Sequence, residues 1–202
     1  MKNASTRLVY DYWNTKRGDR LAPQRADINP TDIRHALSDT FMLASDFINQ
    51  LRFRLAGTRV CALFGREIKG EAFAELWNDK SHKMIEKQIT IVTNEATGLV
   101  AGVTAHTEDG LTADLELLLL PLAHIGHART RAFGVLAPLV PPYWLGTTPV
   151  ANLDLGTLRH LGPDAEGQPA PRFISGLNDV MLKHGFVVYS GGRQNPSGEA
   201  AS

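Results

Sequence analysis

The chain has 202 residues and a mass of 22.1 kDa, which is room for one domain with a sizeable core plus accessory segments and excludes a large multidomain enzyme. With 43% hydrophobic and 21% charged residues it has the composition of a folded globular protein, so wholesale disorder and fibrous repeats are excluded as well. Its 21 Lys/Arg balance 21 Asp/Glu, and the net charge advertises neither nucleic acid nor an anionic membrane. The balance conceals an asymmetry: residues 1–70 hold 12 Lys/Arg against 7 Asp/Glu, leaving 9 against 14 for the rest.

The single cysteine, Cys61, excludes an internal disulfide, and the thiols are too few for a structural zinc site. The first residues lack an apolar signal core. The most apolar run, from Leu115 to Ile125, includes Glu116 and His124 and falls short of the ~20 residues a bilayer requires. A cytoplasmic protein is expected, without membrane or nucleic-acid contacts.

In chain order, Leu8, Val9, Tyr12 and Trp13 lie at helical spacing after Ser5. Lys16 and Arg17 fall in the last turn and Gly18 just beyond it, which predicts a short amphipathic helix. Its aromatic stripe must dock on the domain or on a partner, and a homodimer interface over Leu8, Val9, Tyr12 and Trp13 is expected. Residues 19–29 read as a connector, and Pro30 opens a short helix through Leu37. Residues 40–47 and 51–57 read as two strands of a hairpin turning near Asn49 and Gln50. In the second strand Leu51, Phe53 and Leu55 alternate with Arg52 and Arg54, which predicts one apolar and one wet face.

Residues 58–64 read as a helical turn stopped by Gly65, and Phe73, Ala74, Leu76 and Trp77 as another. A longer helix capped by Asp79 follows, with Met84, Ile85, Gln88, Ile89 and Val92 as its stripe. After Gly98 the period changes to two. Strands are predicted at 99–106, 113–122 and 129–140, and Pro138, Pro141 and Pro142 end the regular part. Beyond Gly162 the composition is that of a flexible tail, with a short helix over 173–184 and a strand over 186–189. The organisation is therefore an amino-terminal helical extension over 1–39, a domain over 40–161 that closes on a C-terminal strand or loop, and a flexible or partly ordered tail over 162–202.

Two strands, several short helices, one longer helix and three strands make an α+β domain in which the helices cover one face of a five-stranded antiparallel sheet. That order, together with Leu21, Pro23, Arg25, Asp27, Pro30, Asp32 and Ile33, then Phe53-Arg54-Leu55-Ala56-Gly57-Thr58-Arg59, Cys61, Phe64-Gly65-Arg66-Glu67, Gly70, Phe73 and Trp77, resembles the stand-alone PAS proteins of alphaproteobacteria. The resemblance implies a PAS fold and a sensory or signalling module with no attached catalytic domain. Some members of that family are linked to cell-cycle or motility control.

A pocket between the sheet and the short helices is expected to be lined by Phe53, Leu55, Val60, Phe64, Phe73, Trp77, Ile85 and Val103, which the two periodicities turn inward. These residues form a core whether or not a small molecule sits among them. Two functions follow: a sensor that binds a small molecule and a signalling partner, or an interaction adaptor whose core is filled by its own side chains. A small enzyme is a third, requiring an acid/base pair that the sequence does not display.

Individual motifs point away from cofactors and metals. Cys61 lacks the neighbours of a flavin-bonding cysteine and reads as a buried thiol. His82, near the start of the longer helix, has no supporting haem-pocket pattern and reads as a surface imidazole. The string His124-Ile125-Gly126-His127 spells a synthetase signature but has no Rossmann context, and reads as a hairpin loop. Asp27, Asp32, Glu67 and Glu71 are explained by caps and by ion pairs with Arg25, Arg34, Arg54 and Arg66. Local pairing of this kind is expected to neutralise the basic amino-terminal third.

Overall fold

Strand alternation builds a sheet that is apolar on both faces. The computed structural model describes residues 1–47, 50–123 and 131–162, and the backbone of 180–183 and 186–189. Strands β1 (Thr40–Ser45), β2 (Leu51–Ala56), β3 (Gly98–Thr107), β4 (Thr112–Leu122), β5 (Arg131–Pro138) and β6 (Val150–Leu161) form one antiparallel sheet in the order β2-β1-β5-β4-β3-β6. The sixth strand corrects the five-stranded expectation. It pairs along the whole of β3, from Gly98 opposite Leu161 to Thr107 opposite Val150, with Ala151 an extra residue between the partners of His106 and Thr107 and a second extra residue inserted opposite Gly102. These insertions break the two-residue period that would have marked the strand in the sequence. A separate antiparallel hairpin pairs β7 (Val180–Lys183) with β8 (Phe186–Tyr189), so the strand over 186–189 is present and residues 180–183 are extended where a helix was expected. The expected turn at Asn49 and the His124–His127 loop lie outside the described residues.

On the inner face, Phe41, Leu43, Phe53, Leu99, Ala101, Val103, Leu115, Leu117 and Leu119 pack against α2 (Thr58–Phe64), a 3₁₀ turn at Phe73–Leu76 and α3 (Asp79–Asn94). Gly65 ends α2 at φ 63°, the left-handed stop that glycine supplies without strain. The cap of α3 is Asn78, one residue before the expected Asp79, and its side chain accepts the Ser81 N–H at 2.9 Å. Ile85, Gln88 and Val92 face the sheet, whereas Met84 is half exposed and falls off the stripe.

Helices on one face alone do not describe this sheet. Met42, Val100, Leu118, Leu120, Leu122, Phe133, Val135 and Ala137 point outward and are buried by α1 (Ala4–Arg17) and the 3₁₀ turns that follow it. Both ends of α1 are fixed. The Lys2 and Asn3 N–H groups donate to the buried Glu116 carboxylate at 2.7 and 3.0 Å, and Ser5 Oγ donates to Asp39 at 2.6 Å. At the other end Trp13 is 5% exposed and its Nε1 donates to the Pro121 carbonyl at 2.9 Å. No helix among the described residues is long and apolar enough to cross a membrane.

The pinned helix yields a stability prediction. Trp13→Ala removes a buried indole and orphans the Pro121 carbonyl, so it should lower unfolding free energy by about 3–5 kcal/mol in a urea titration. A second concerns the tie between α3 and β6, where Ser81 Oγ donates to Asp154 at 2.7 Å and accepts the Leu155 N–H at 2.8 Å. The Ser81 hydroxyl, then the Asn78 side chain, hold the Asp154 carboxyl below its ordinary value of 3.8. A lowered native pKa gives stability that is present above the ordinary value and lost as pH falls through the native one. The difference in thermal stability between the wild type and Ser81→Ala should therefore be larger at pH 7 than in acid below 3.8.

Candidate functional site: an outer groove beside a closed aromatic core

The inner layer gathers seven of the eight residues expected to line a pocket. Phe53, Val60, Phe64, Phe73, Trp77, Ile85 and Val103 are buried in one cluster. Their rings contact one another: Phe41 lies 5.5 Å from both Phe53 and Phe73, Phe53 lies 5.7 Å from Phe73, and Phe73 lies 5.8 Å from Trp77, centroid to centroid. Spacings of this size are those of packed aromatic pairs, so this layer is built as a core. Two polar atoms inside it, Trp77 Nε1 and Gln88 Oε1, have no hydrogen-bond partner.

The eighth residue, Leu55, is a correction. Opposite β1, the partner of Leu43 is Phe53 and that of Met42 is Leu55, so Arg54 is an extra residue in β2. A one-residue bulge reverses which face the following side chains take. Leu55 is thereby carried to the outer face, where it is 53% exposed.

There it lines a groove of about 520 Å³ with Ile28, Pro30, Ile33, Leu37, Met42, Phe133 and the hydroxyl residues Ser38, Thr40 and Thr58. Arg25, Arg34, Phe41, Ala56 and Gly57 complete the lining. Gly57 lets the start of α2 close one side, because a methyl group at this position would run into the carbonyls of Leu37 and Ser38. The volume and the mainly apolar lining with a few polar groups match those of small-molecule sites. The groove wall is also tied to α1. Tyr12 Oη accepts the Asn29 N–H at 2.7 Å and donates to the Asp27 carbonyl at 3.2 Å, while Lys16 pairs with Asp32 at 3.3 Å and Arg20 with Asp27 at 2.9 Å.

A PAS domain family model matches residues 1–137. The chain belongs to the PAS domain family. The match extends through α1 and the groove wall as well as the inner layer, and it places the chain among sensory and signalling modules. Among solved structures, the PAS domain of a protein from Colwellia psychrerythraea is 14% identical, with a TM-score of 0.39 over 55% of this chain and 97% of that one. An RNA-binding Light-Oxygen-Voltage receptor is also 14% identical, with a TM-score of 0.41 over 58% of this chain, which spans 34% of the receptor chain's length. No curated protein matches.

Within this PAS domain, the residues singled out for other chemistry fall in ordinary surroundings. The Cys61 thiol is half-buried and is pushed up by that burial, with Glu67 at 3.7 Å adding to the effect. His82 Nδ1 lies 3.7 Å from Glu86 on the partly exposed side of α3. No group of three or more metal-ligating side chains occurs among the described residues. Val9 and Trp13, expected at a dimer interface, are buried against the chain's own sheet, which leaves Leu8 and Tyr12 partly exposed on that helix.

Local ion pairing is corrected in three places. Asp27 pairs with Arg20 and not Arg25, Asp32 pairs with Lys16 and not Arg34, and Arg54 pairs with no carboxylate among the described residues. Only the Arg66–Glu71 pair, at 2.8 Å, forms as expected. Sequence reasoning missed the groove residues Arg25, Ile28, Ile33, Arg34, Leu37 and Met42. The available signal was apolar residues on a connector that had no assigned partner.

The unpartnered Gln88 carbonyl gives a prediction that separates a packed core from a polar site. Removing a buried acceptor without a partner relieves its desolvation penalty, so Gln88→Met should be neutral or raise stability by about 1–2 kcal/mol in chemical denaturation. A loss of several kcal/mol would show that the carbonyl is in use.

Proposed function

We propose that this chain is a non-enzymatic sensory PAS module that registers a small molecule in the outer groove and passes its occupancy to a protein partner through α1. The observation that carries the proposal is the contrast between the two layers: the ring-packed core leaves its residues in mutual contact, whereas the groove is open, apolar and about 520 Å³. Its lining of aliphatic side chains, hydroxyls and guanidinium groups suits binding and orientation. An occupant pressing on the 3₁₀ turns at Arg25–Asp27 and Pro30–Ile33 acts on α1 through Tyr12, Lys16 and Arg20, so ligand state and helix docking are physically linked. The process served is in the class the sequence resemblance implies, cell-cycle or motility control.

A second function is favoured by the aromatic packing itself. With a core filled by its own side chains, the chain acts as an adaptor and the groove receives an apolar side chain of a signalling protein. Native mass spectrometry distinguishes the two. A sensor should carry a small mass above the 22.1 kDa of the bare chain, and Leu55→Glu, at an already half-exposed position, should remove it without lowering the melting temperature. A bare chain throughout supports the adaptor, and a bound mass that survives Leu55→Glu places the ligand elsewhere.

A further inference from the structure

The carboxylates around the groove are already paired: Asp27 with Arg20 at 2.9 Å, Asp32 with Lys16 at 3.3 Å and Asp39 with Arg59 at 2.8 Å. The two cations that line the groove are left over. Arg25 Nη1 donates to the Ile28 carbonyl at 3.4 Å, and the Arg34 guanidinium makes no hydrogen bond or ion pair among the described residues. Two guanidinium groups without a carboxylate therefore border a trough whose walls are Ile28, Ile33, Met42, Leu55 and Phe133. Leu37 is 40% and Leu55 53% exposed there, so an apolar group seated beside the two cations would remove their surface from water.

We infer that the outer groove binds an amphipathic organic anion, a molecule with an apolar chain or ring and a carboxylate or phosphate head. The apolar part lies on Leu55, Met42 and Ile33, and the head is held by the Arg25 and Arg34 forks, which match the planar geometry of carboxylate and phosphate oxygens. The inference rests on the outer groove being the ligand site and adds the chemical class of its occupant. The head group could be that of a free metabolite or of a membrane lipid, and the same recognition chemistry serves both.

The test is calorimetric titration of the full chain with octanoate and with 1-octanol, which share an apolar chain and differ in head charge. Octanoate should bind at least about tenfold tighter than octanol, the effect of one charge-assisted contact. Arg25→Ala/Arg34→Ala should bring octanoate down to the level of octanol and leave octanol unchanged, and Leu55→Glu should abolish binding of both. Co-sedimentation with phosphatidylglycerol against phosphatidylcholine vesicles identifies the source. Pelleting with the anionic vesicles that is lost in the double-arginine variant assigns the anion to a lipid, and octanoate selectivity without pelleting assigns it to a free molecule.

Equal affinity for octanoate and octanol, or octanoate binding that survives loss of both arginines, overturns the anion inference. If octanol binding is nonetheless lost in Leu55→Glu, the groove remains the ligand site. Binding of either probe that survives Leu55→Glu overturns both. Failure of both octanoate and anionic vesicles to bind overturns the anion inference, while the mass bound to the purified chain still decides whether the groove is occupied.

Discussion

A single helix cannot cover a six-stranded sheet, and the outer architecture of this protein follows from that mismatch. At about 10 Å across, α1 spans roughly two strands at ~4.8 Å spacing. It lies on β4 and β5, fixed by the Glu116 carboxylate at its start and by the Trp13–Pro121 hydrogen bond near its end. The outer face on either side must be treated differently. Along β3 it carries Gly102, Thr104 and His106, which are only partly buried. Along β1 and β2 it carries Met42 and Leu55, and the cover there is a strip of 3₁₀ turns too thin to fill the space. The groove is the gap that remains.

The bulge at Arg54 decides which side of the sheet the end of β2 serves. Phe53 belongs to the aromatic core and Leu55, two residues later, to the groove, although an unbroken strand would place both on one face. One inserted residue thus closes the inner layer, where Phe41, Phe53 and Phe73 meet, and opens the outer one. Because the groove wall is also the surface on which Tyr12, Lys16 and Arg20 hold α1, the open layer is the one mechanically joined to a docked helix.

Electrostatics reinforce the same division. The carboxylates nearest the groove reach over to cations on α1, just beyond its end and on α2, not to their sequence neighbours, since the fold brings Lys16, Arg20 and Arg59 into better geometry than residues two positions away on a tight turn. The positive charge of the amino-terminal third is therefore not cancelled where it stands. It survives at Arg25 and Arg34, beside exposed leucines, and that pairing of charge with apolar surface gives the groove its chemical character.

Much of the fold was legible in the sequence because it rests on local patterns. The α1 stripe with Gly18 behind it, β1 and β2, the α2 turn stopped by Gly65, the α3 stripe and the three long strands all follow from helical spacing, two-residue alternation and stop residues. The residues from Leu21 to Trp77 were enough to indicate the PAS family, and of the eight residues expected to face inward seven are buried where periodicity put them. What tertiary structure decided were the features that depend on distant partners. A bulge exists only against a paired strand, so neither the outward turn of Leu55 nor the interruptions in the pairing of β6 with β3 could be read along the chain. The apolar run through β4 signals burial on both faces only once α1 is known to lie on β4 and β5. Ion-pair partners are chosen by proximity in space, and that choice leaves Arg25 and Arg34 unpaired by any carboxylate at the groove.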